Sequence, residues 1–130
     1  MNRAVICWML MIVTTSVSNA EDRGPVLRYQ LSDSEEALVE QTVRDGFKDP
    51  ESARFDEVAA TQSQDGGVVV CGLVNARNSF GGYAGRSPFM GMLTKNKVGE
   101  TVFLVLTSGS SKAAVEVTRR ACMRNDILLP

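Results

Sequence analysis

The stretch from Val68 to Phe89 constrains the fold of this chain more than any other part of it. An Asp-Gly pair, which is a strong hairpin signal, precedes an apolar run that continues to Ala76. Side chains of a strand alternate between two faces, and both faces of this run are apolar. The run therefore predicts a central strand that is covered on at least one face. After Ala76 the sequence changes to a glycine-rich loop with aromatic residues and two arginines.

The N-terminal segment predicts export. Arg3 precedes an apolar run from Ala4 to Val13, and the tripeptide ending at Ala20 carries small residues. This is the pattern of a secretory signal peptide at residues 1–20, and the run is shorter than the roughly 20 residues that a membrane span needs. We therefore expect residues 21–130 to form a single periplasmic or secreted domain of a bacterium, with no stable membrane span after signal cleavage.

Two cysteines lie within residues 21–130, Cys71 in the apolar strand and Cys122 near the C-terminus. An even number of cysteines in an exported domain favours a disulfide bond, and only one pairing is available. A metal site is disfavoured because the chain contains no histidine, and a redox pair because the cysteines are not in a CxxC arrangement. We predict a Cys71–Cys122 bond that holds a C-terminal helix on the strand.

Local patterns predict one helix near the start of the domain. Ser32 and Glu35 fit a capping box, and Val39, Val43 and Phe47 recur on one apolar face behind it. The helix is expected to run to about Phe47, because the residue before a proline avoids the helical region and a proline stands at position 50. Residues 26–31, before this helix, are expected to lie as an extended segment against the domain.

The remaining patterns predict a meander of strands and a last helix. Strands are expected at residues 55–63, 68–76, 89–95 and 101–107. The last helix is expected from Lys112 to about Arg124, with Val117 and Cys122 among the residues of its apolar face. We therefore expect an α+β fold, with a small antiparallel sheet of about four strands, an N-terminal helix, a C-terminal helix and one disulfide.

The glycine-rich loop is the best candidate for a functional site. It carries hydrogen-bond donors and flat side chains, which are typical of interface anchors, and a loop longer than a hairpin needs is often functional. The candidate binding residues are Asn75, Arg77, Asn78, Tyr83 and Arg86. Arg77, Tyr83 and Arg86 would make the contacts, and the two asparagines would shape the loop.

A structural interpretation of the same loop has about equal weight. Phe80, Tyr83 and Phe89 could fold back as a lid on the edge of the sheet, with the asparagines bonded to the backbone of the loop itself. The sequence leaves open whether the loop is a binding site or a packed lid.

Composition argues against several other functions. Residues 21–65 hold twelve acids and five bases, and residues 66–130 hold three acids and eight bases, but no run of bases forms. We expect no nucleic-acid partner for an exported and slightly acidic domain. Serine and cysteine nucleophiles lack a histidine base, so we expect no enzyme, no catalytic residues, no metal and no cofactor.

Three motifs carry a resemblance to a known family. They are DPESARF at residues 49–55, CGLVNARNSFGGYAG at residues 71–85, and PF at residues 88–89. Their pattern, DPxSAxF followed by CGxVNxxNxxGGYxGxxPF, resembles an uncharacterised family of small exported proteobacterial proteins. The resemblance covers about residues 43–90 and implies a periplasmic setting. It implies no activity, and hence no site residues.

A second and weaker resemblance is to periplasmic lysozyme inhibitors, and Ser79, Gly81 and Tyr83 carry it. The leading hypothesis is a binding or accessory module of the bacterial envelope that uses the 75–89 loop to engage an envelope protein or a glycan. The alternative is an inhibitor of a lysozyme-like hydrolase that inserts the same loop into the catalytic cleft. An enzyme is a distant third hypothesis.

Overall fold

The computed structural model describes residues 25–130, so the predicted signal peptide lies outside the described residues. The elements are β1 (Leu27–Tyr29), α1 (Asp33–Arg44), a 3-10 turn (Pro50–Ser52), β2 (Arg54–Gln62), β3 (Val68–Asn75), β4 (Ser87–Lys95), β5 (Thr101–Ser108) and α2 (Lys112–Met123). Within residues 25–130, no helix has the length and apolar character that crossing a membrane requires.

The five strands form one antiparallel sheet in the order β1-β2-β3-β4-β5. The expected α+β meander is therefore present, with a fifth strand in addition to the expected four. The extra strand is β1, which pairs Leu27 with Gln62 and Tyr29 with Ala60. It falls within the segment that was expected to be extended, and only the pairing with β2 makes it part of the sheet.

Helix α1 begins with the expected capping box. The Ser32 hydroxyl accepts the Glu35 N–H, and the Ser32 N–H donates to the Glu35 carboxylate at 2.9 Å. The hydrogen bonds from Ser32 hold the pKa of Glu35 below its ordinary value. Tyr29 donates its hydroxyl to the same carboxylate at 3.0 Å, which raises the pKa of Tyr29 and joins β1 to the helix. These hydrogen bonds stabilise the folded protein while Glu35 is ionised, and their contribution is lost as pH falls through the lowered pKa of Glu35.

The helix ends at Arg44, one turn before the expected Phe47. The N–H groups of Asp45, Gly46 and Phe47 donate to the carbonyls of Gln41, Val43 and Arg44 respectively. These bonds close the last turn and satisfy carbonyls that the helix end would otherwise leave open.

The two helices cover opposite faces of the sheet. Val39 and Val43 of α1 pack in one cluster with Val70 of β3 and Phe89 of β4. Cys71, next to Val70 in the strand, belongs to a separate cluster with Cys122 of α2. Because neighbouring side chains in a strand point to opposite faces, these clusters place α1 and α2 on different sides of β3.

The Cys71–Cys122 disulfide is formed, with 6.1 Å between the two Cα atoms. The expected apolar face of α2 is wrong at one position. Val117 is exposed, whereas Thr118 is fully buried and its hydroxyl lies 2.9 Å from that of Thr107 in β5. Relative to the expected face, the helix is rotated toward Thr118. The buried Thr118 hydroxyl has a hydrogen-bond partner in this orientation, and an unpaired buried hydroxyl would cost free energy.

Two glycines in the central strands make room for phenylalanine rings. A Cβ atom on Gly72 would lie 2.7 Å from the Phe89 ring, and one on Gly91 would lie 2.3 Å from the Phe103 ring. Phe89 is fully buried and meets the half-buried Phe55 edge to face, with 6.0 Å between ring centroids. These strands therefore accept large side chains by packing them over glycine.

Removing the disulfide tests how strongly it holds the two layers together. The bond joins residues 51 positions apart. On the chain-entropy model, the Cys71→Ala/Cys122→Ala variant should lose about 4 kcal/mol of unfolding free energy. Urea unfolding of the two proteins measures this difference. Two free thiols in the unreduced protein, titrated under denaturing conditions, would contradict the bond itself.

Candidate functional site

The segment between β3 and β4 is an ordered hairpin, which we call the 76–84 hairpin. An antiparallel bridge joins Arg77 to Tyr83, and the Ala84 N–H donates to the Ala76 carbonyl at 3.3 Å. Above the bridge, the Asn78 N–H donates to the Gly82 carbonyl at 2.8 Å. The glycine-rich loop thus extends the sheet as a narrow two-stranded ribbon.

The turn at the tip is held by Asn78. Its side-chain oxygen accepts the N–H groups of Phe80 at 2.9 Å and Gly82 at 3.3 Å. Gly81 has φ of 81°, a left-handed conformation that glycine adopts without the steric cost of a side chain. This is a three-residue hairpin loop that closes on a left-handed glycine.

The same turn occurs a second time, between β4 and β5. There Asn96 accepts the N–H groups of Val98 at 3.0 Å and Glu100 at 2.9 Å, and Gly99 has φ of 85°. Val98 occupies the position that Phe80 occupies in the hairpin. The antiparallel meander puts this second turn at the opposite end of the sheet. Substitutions in the second turn can therefore serve as controls for substitutions at the hairpin tip.

The base of the hairpin is fixed to the 3-10 turn. Ser52 is buried, and its hydroxyl accepts the Arg77 N–H at 2.9 Å while donating to the Asp49 carbonyl at 2.7 Å. On the other side of the base, the Asn75 side-chain oxygen accepts the Gly85 N–H at 3.1 Å. The bond from Arg77 to Ser52 ties the segment 49–52 to the hairpin, although the two are separated by 25 positions in sequence.

The side chains of the hairpin differ sharply in exposure. Phe80, at the tip, is 96% exposed, and Tyr83 is 45% exposed. The Arg77 guanidinium lies over the Tyr83 ring, 5.6 Å from its centroid, and its nearest carboxylate oxygen is on Asp49 at 4.0 Å. Such an exposed pair at the limit of ion-pair distance contributes little stability and leaves the arginine available.

The five predicted site residues are only partly brought together. Arg77 and Tyr83 are direct neighbours across the hairpin, and Asn75 and Asn78 bond its backbone. Arg86 lies beyond the hairpin base, with its guanidinium 3.9 Å from the Asp56 carboxylate. The predicted set omits Phe80, the most exposed aromatic side chain among the described residues, although the sequence places it directly before the glycine pair of a turn.

The alternative of a packed lid fits the described geometry poorly. Phe80 does not fold back onto the sheet, because nearly all of its side chain is in water. Phe89 does not belong to the loop, because it is a buried core residue of β4. The asparagines do bond the loop's own backbone, and that part of the structural interpretation is present together with an exposed tip.

A cavity of about 590 Å³ adjoins the hairpin. Its walls come from the end of α1, the hairpin stem and the end of β5, and its lining residues include Val43, Phe47, Lys48, Val74, Ala76, Arg77, Ser79, Val105 and Ser108. The Lys48 ammonium donates to the Ser79 hydroxyl at 3.0 Å across this cavity wall. Sequence reasoning did not identify the cavity or Lys48.

Comparisons with protein-family models, with curated proteins and with solved structures give no match to this chain. The family resemblance of the three motifs therefore stays a prediction. Within the described part of the chain, no group of three cysteine, aspartate or glutamate side chains is placed to hold a metal ion. The hairpin and the adjoining cavity are candidate sites.

Replacing Asn78 tests whether its side chain orders the tip. The Asn78→Ala variant should increase hydrogen exchange at the Phe80 and Gly82 amides, because both lose their acceptor. Asn96→Ala is the matched control and should affect only the amides of Val98 and Glu100. Unchanged exchange at Phe80 and Gly82 in Asn78→Ala would show that the tip is ordered by its backbone alone.

Proposed function

We propose that this protein is a binding or accessory module of the bacterial envelope, and that it docks the tip of the 76–84 hairpin into a partner protein. The exposure of Phe80 carries the proposal. A phenylalanine that is 96% exposed on an ordered turn gains free energy only when a partner covers it. Aromatic side chains seated in pockets of a partner are the typical anchors of protein interfaces.

The surroundings of Phe80 support the same role. Arg77 and Tyr83 flank the stem of the hairpin as a stacked pair, and arginine and tyrosine are enriched at interfaces. The hydrogen bonds made by Asn78 fix the backbone before any partner arrives. A preorganised loop loses less conformational entropy on binding than a mobile one, so a small surface can bind usefully.

The disulfide supports the proposed compartment. Such bonds form and persist in oxidising environments, which include the bacterial periplasm and the exterior of the cell. The proposal therefore places the protein in the periplasm or outside the cell, gives it an envelope protein as partner, and assigns it no catalytic role.

A capture experiment tests the tip. Mature protein, residues 21–130, is immobilised and exposed to periplasmic extract beside the Phe80→Ser variant and the control Val98→Ser. Val98 is 76% exposed at the equivalent position of the other turn. The control therefore removes an exposed apolar side chain from a turn of the same backbone conformation. We expect wild type and Val98→Ser to capture the same partner protein. The amount captured by Phe80→Ser should be at least tenfold lower. A Tyr83→Ala/Arg86→Ala variant then tests the flanking contacts.

Two results would contradict this proposal. One is that all variants of equal thermal stability capture the same proteins. The other is that the protein binds purified peptidoglycan and that free glycan removes it, which would make the partner a glycan.

A second candidate is inhibition of a lysozyme-like hydrolase. Such enzymes act with a pair of carboxylates, and the segment from Asn75 to Pro88 carries two arginines and no acid. A rigid tip with cationic flanks is complementary to an acidic cleft. The mature protein should inhibit purified lysozyme stoichiometrically, and Phe80→Ser should relieve inhibition while Val98→Ser should not. Absence of inhibition at micromolar protein removes this candidate and leaves the first intact.

A further inference from the structure

The cavity beside the hairpin has an apolar floor. Val43, Val74 and Ala76 form its buried part, and Phe47 and Val105 continue it toward the opening. Val43, Val74 and Val105 belong to α1, β3 and β5, so three of these five groups stand on regular elements. Its volume of about 590 Å³ falls within the range typical of small-molecule sites.

The charged groups of the cavity are all of one sign. Lys48 and Arg77 line it, and no aspartate or glutamate does. Arg77 has Asp49 at 4.0 Å, but within residues 25–130 no carboxylate lies within 4.0 Å of the Lys48 ammonium. Its hydrogen bond to the neutral Ser79 hydroxyl uses one of three donors and holds the ammonium at the hairpin wall.

The carboxyl end of α1 also borders the cavity and would repel an anion if its carbonyls were open. Three of the last four carbonyls are not open, because those of Gln41, Val43 and Arg44 accept the N–H groups of the residues after the helix. This reduces the repulsion, and Lys48 and Arg77 are the charged side chains that line the cavity.

We propose that this cavity binds a single-chain amphiphile with a negatively charged head group. The aliphatic chain would lie over the floor of Val43, Val74 and Val105, and the head group would accept hydrogen bonds from Lys48. A free fatty acid and a lysophospholipid share this chemistry. The inference goes beyond the proposed function, since it concerns a different surface from the Phe80 tip.

Titration with decanoate tests the site. Isotope-labelled protein, residues 21–130 with the disulfide formed, is titrated with monomeric decanoate and with decanoyl lysophosphatidylglycerol while amide chemical shifts are recorded. We expect saturable one-to-one binding, with shifts confined to residues 43–48, 74–79 and 105–110. Tighter binding of decanoate identifies a free fatty acid as the ligand class. Tighter binding of the lysolipid identifies a lysophospholipid derived from a membrane. Equal affinity shows that the cavity recognises only the aliphatic chain and the negative charge.

Two variants distinguish the contribution of the head group to binding from that of the aliphatic chain. Lys48→Gln should weaken decanoate binding by about threefold to tenfold and leave 1-decanol unchanged, because only the charged head needs the ammonium. Lys97→Gln, in the exposed turn at the other end of the sheet, is the matched control. Val105→Gln should weaken both ligands, because it places an amide on the floor. Val105 is itself 40% exposed, so the fold should tolerate the change.

The proposal is overturned if neither amphiphile binds saturably, if Lys48→Gln binds decanoate as wild type does, or if the amide shifts of residues 43–48 and 74–79 do not change. If Val105→Gln fails to fold, the Lys48→Gln comparison and the position of the shifts still decide. Phe80→Ser should bind decanoate as wild type does. The experiments can therefore contradict the amphiphile proposal without contradicting the docking of the Phe80 tip, and the reverse.

Discussion

The burial of β3 on both faces is the constraint on which the rest of the structure depends. Val70 and Cys71 are consecutive residues, both fully buried, and their side chains leave the strand in opposite directions. A strand of this kind requires a cover on each side, and the chain supplies one helix before the sheet and one after it. The first cover is held by apolar contacts, and the second is also held by a covalent bond to Cys122.

Most of this architecture could be predicted because its signals are local. The capping box at Ser32, the apolar run of β3 and the single possible pairing of Cys71 with Cys122 each depend on few neighbouring residues or on a count. The failures depend on distant partners. Thr118 is buried in place of Val117 because Thr107 lies opposite, and β1 is a strand only because the end of β2 pairs with it. Neither partner is visible in the local pattern.

The candidate site was predictable in position but not in shape. Asparagine followed three positions later by glycine occurs at 78–81 and again at 96–99, and both copies fold into the same turn. This spacing could have shown that the glycine-rich segment is a hairpin with Phe80 at its tip. The cavity could not have been found in this way, because its walls come from α1, β3, the hairpin and β5. Lys48 and Ser79 are brought together across 31 positions of sequence by the fold alone.

The hairpin separates its two proposed roles through the direction of adjacent side chains. Ser79 turns back to the Lys48 ammonium at the cavity wall, whereas Phe80, the next residue, stands in water. Asn78 accepts two backbone N–H groups in the turn that carries both residues. One short segment thus exposes Phe80 on one side and borders the cavity on the other. The buried Ser52, whose hydroxyl accepts the Arg77 N–H at the base of the hairpin, therefore supports both proposed surfaces.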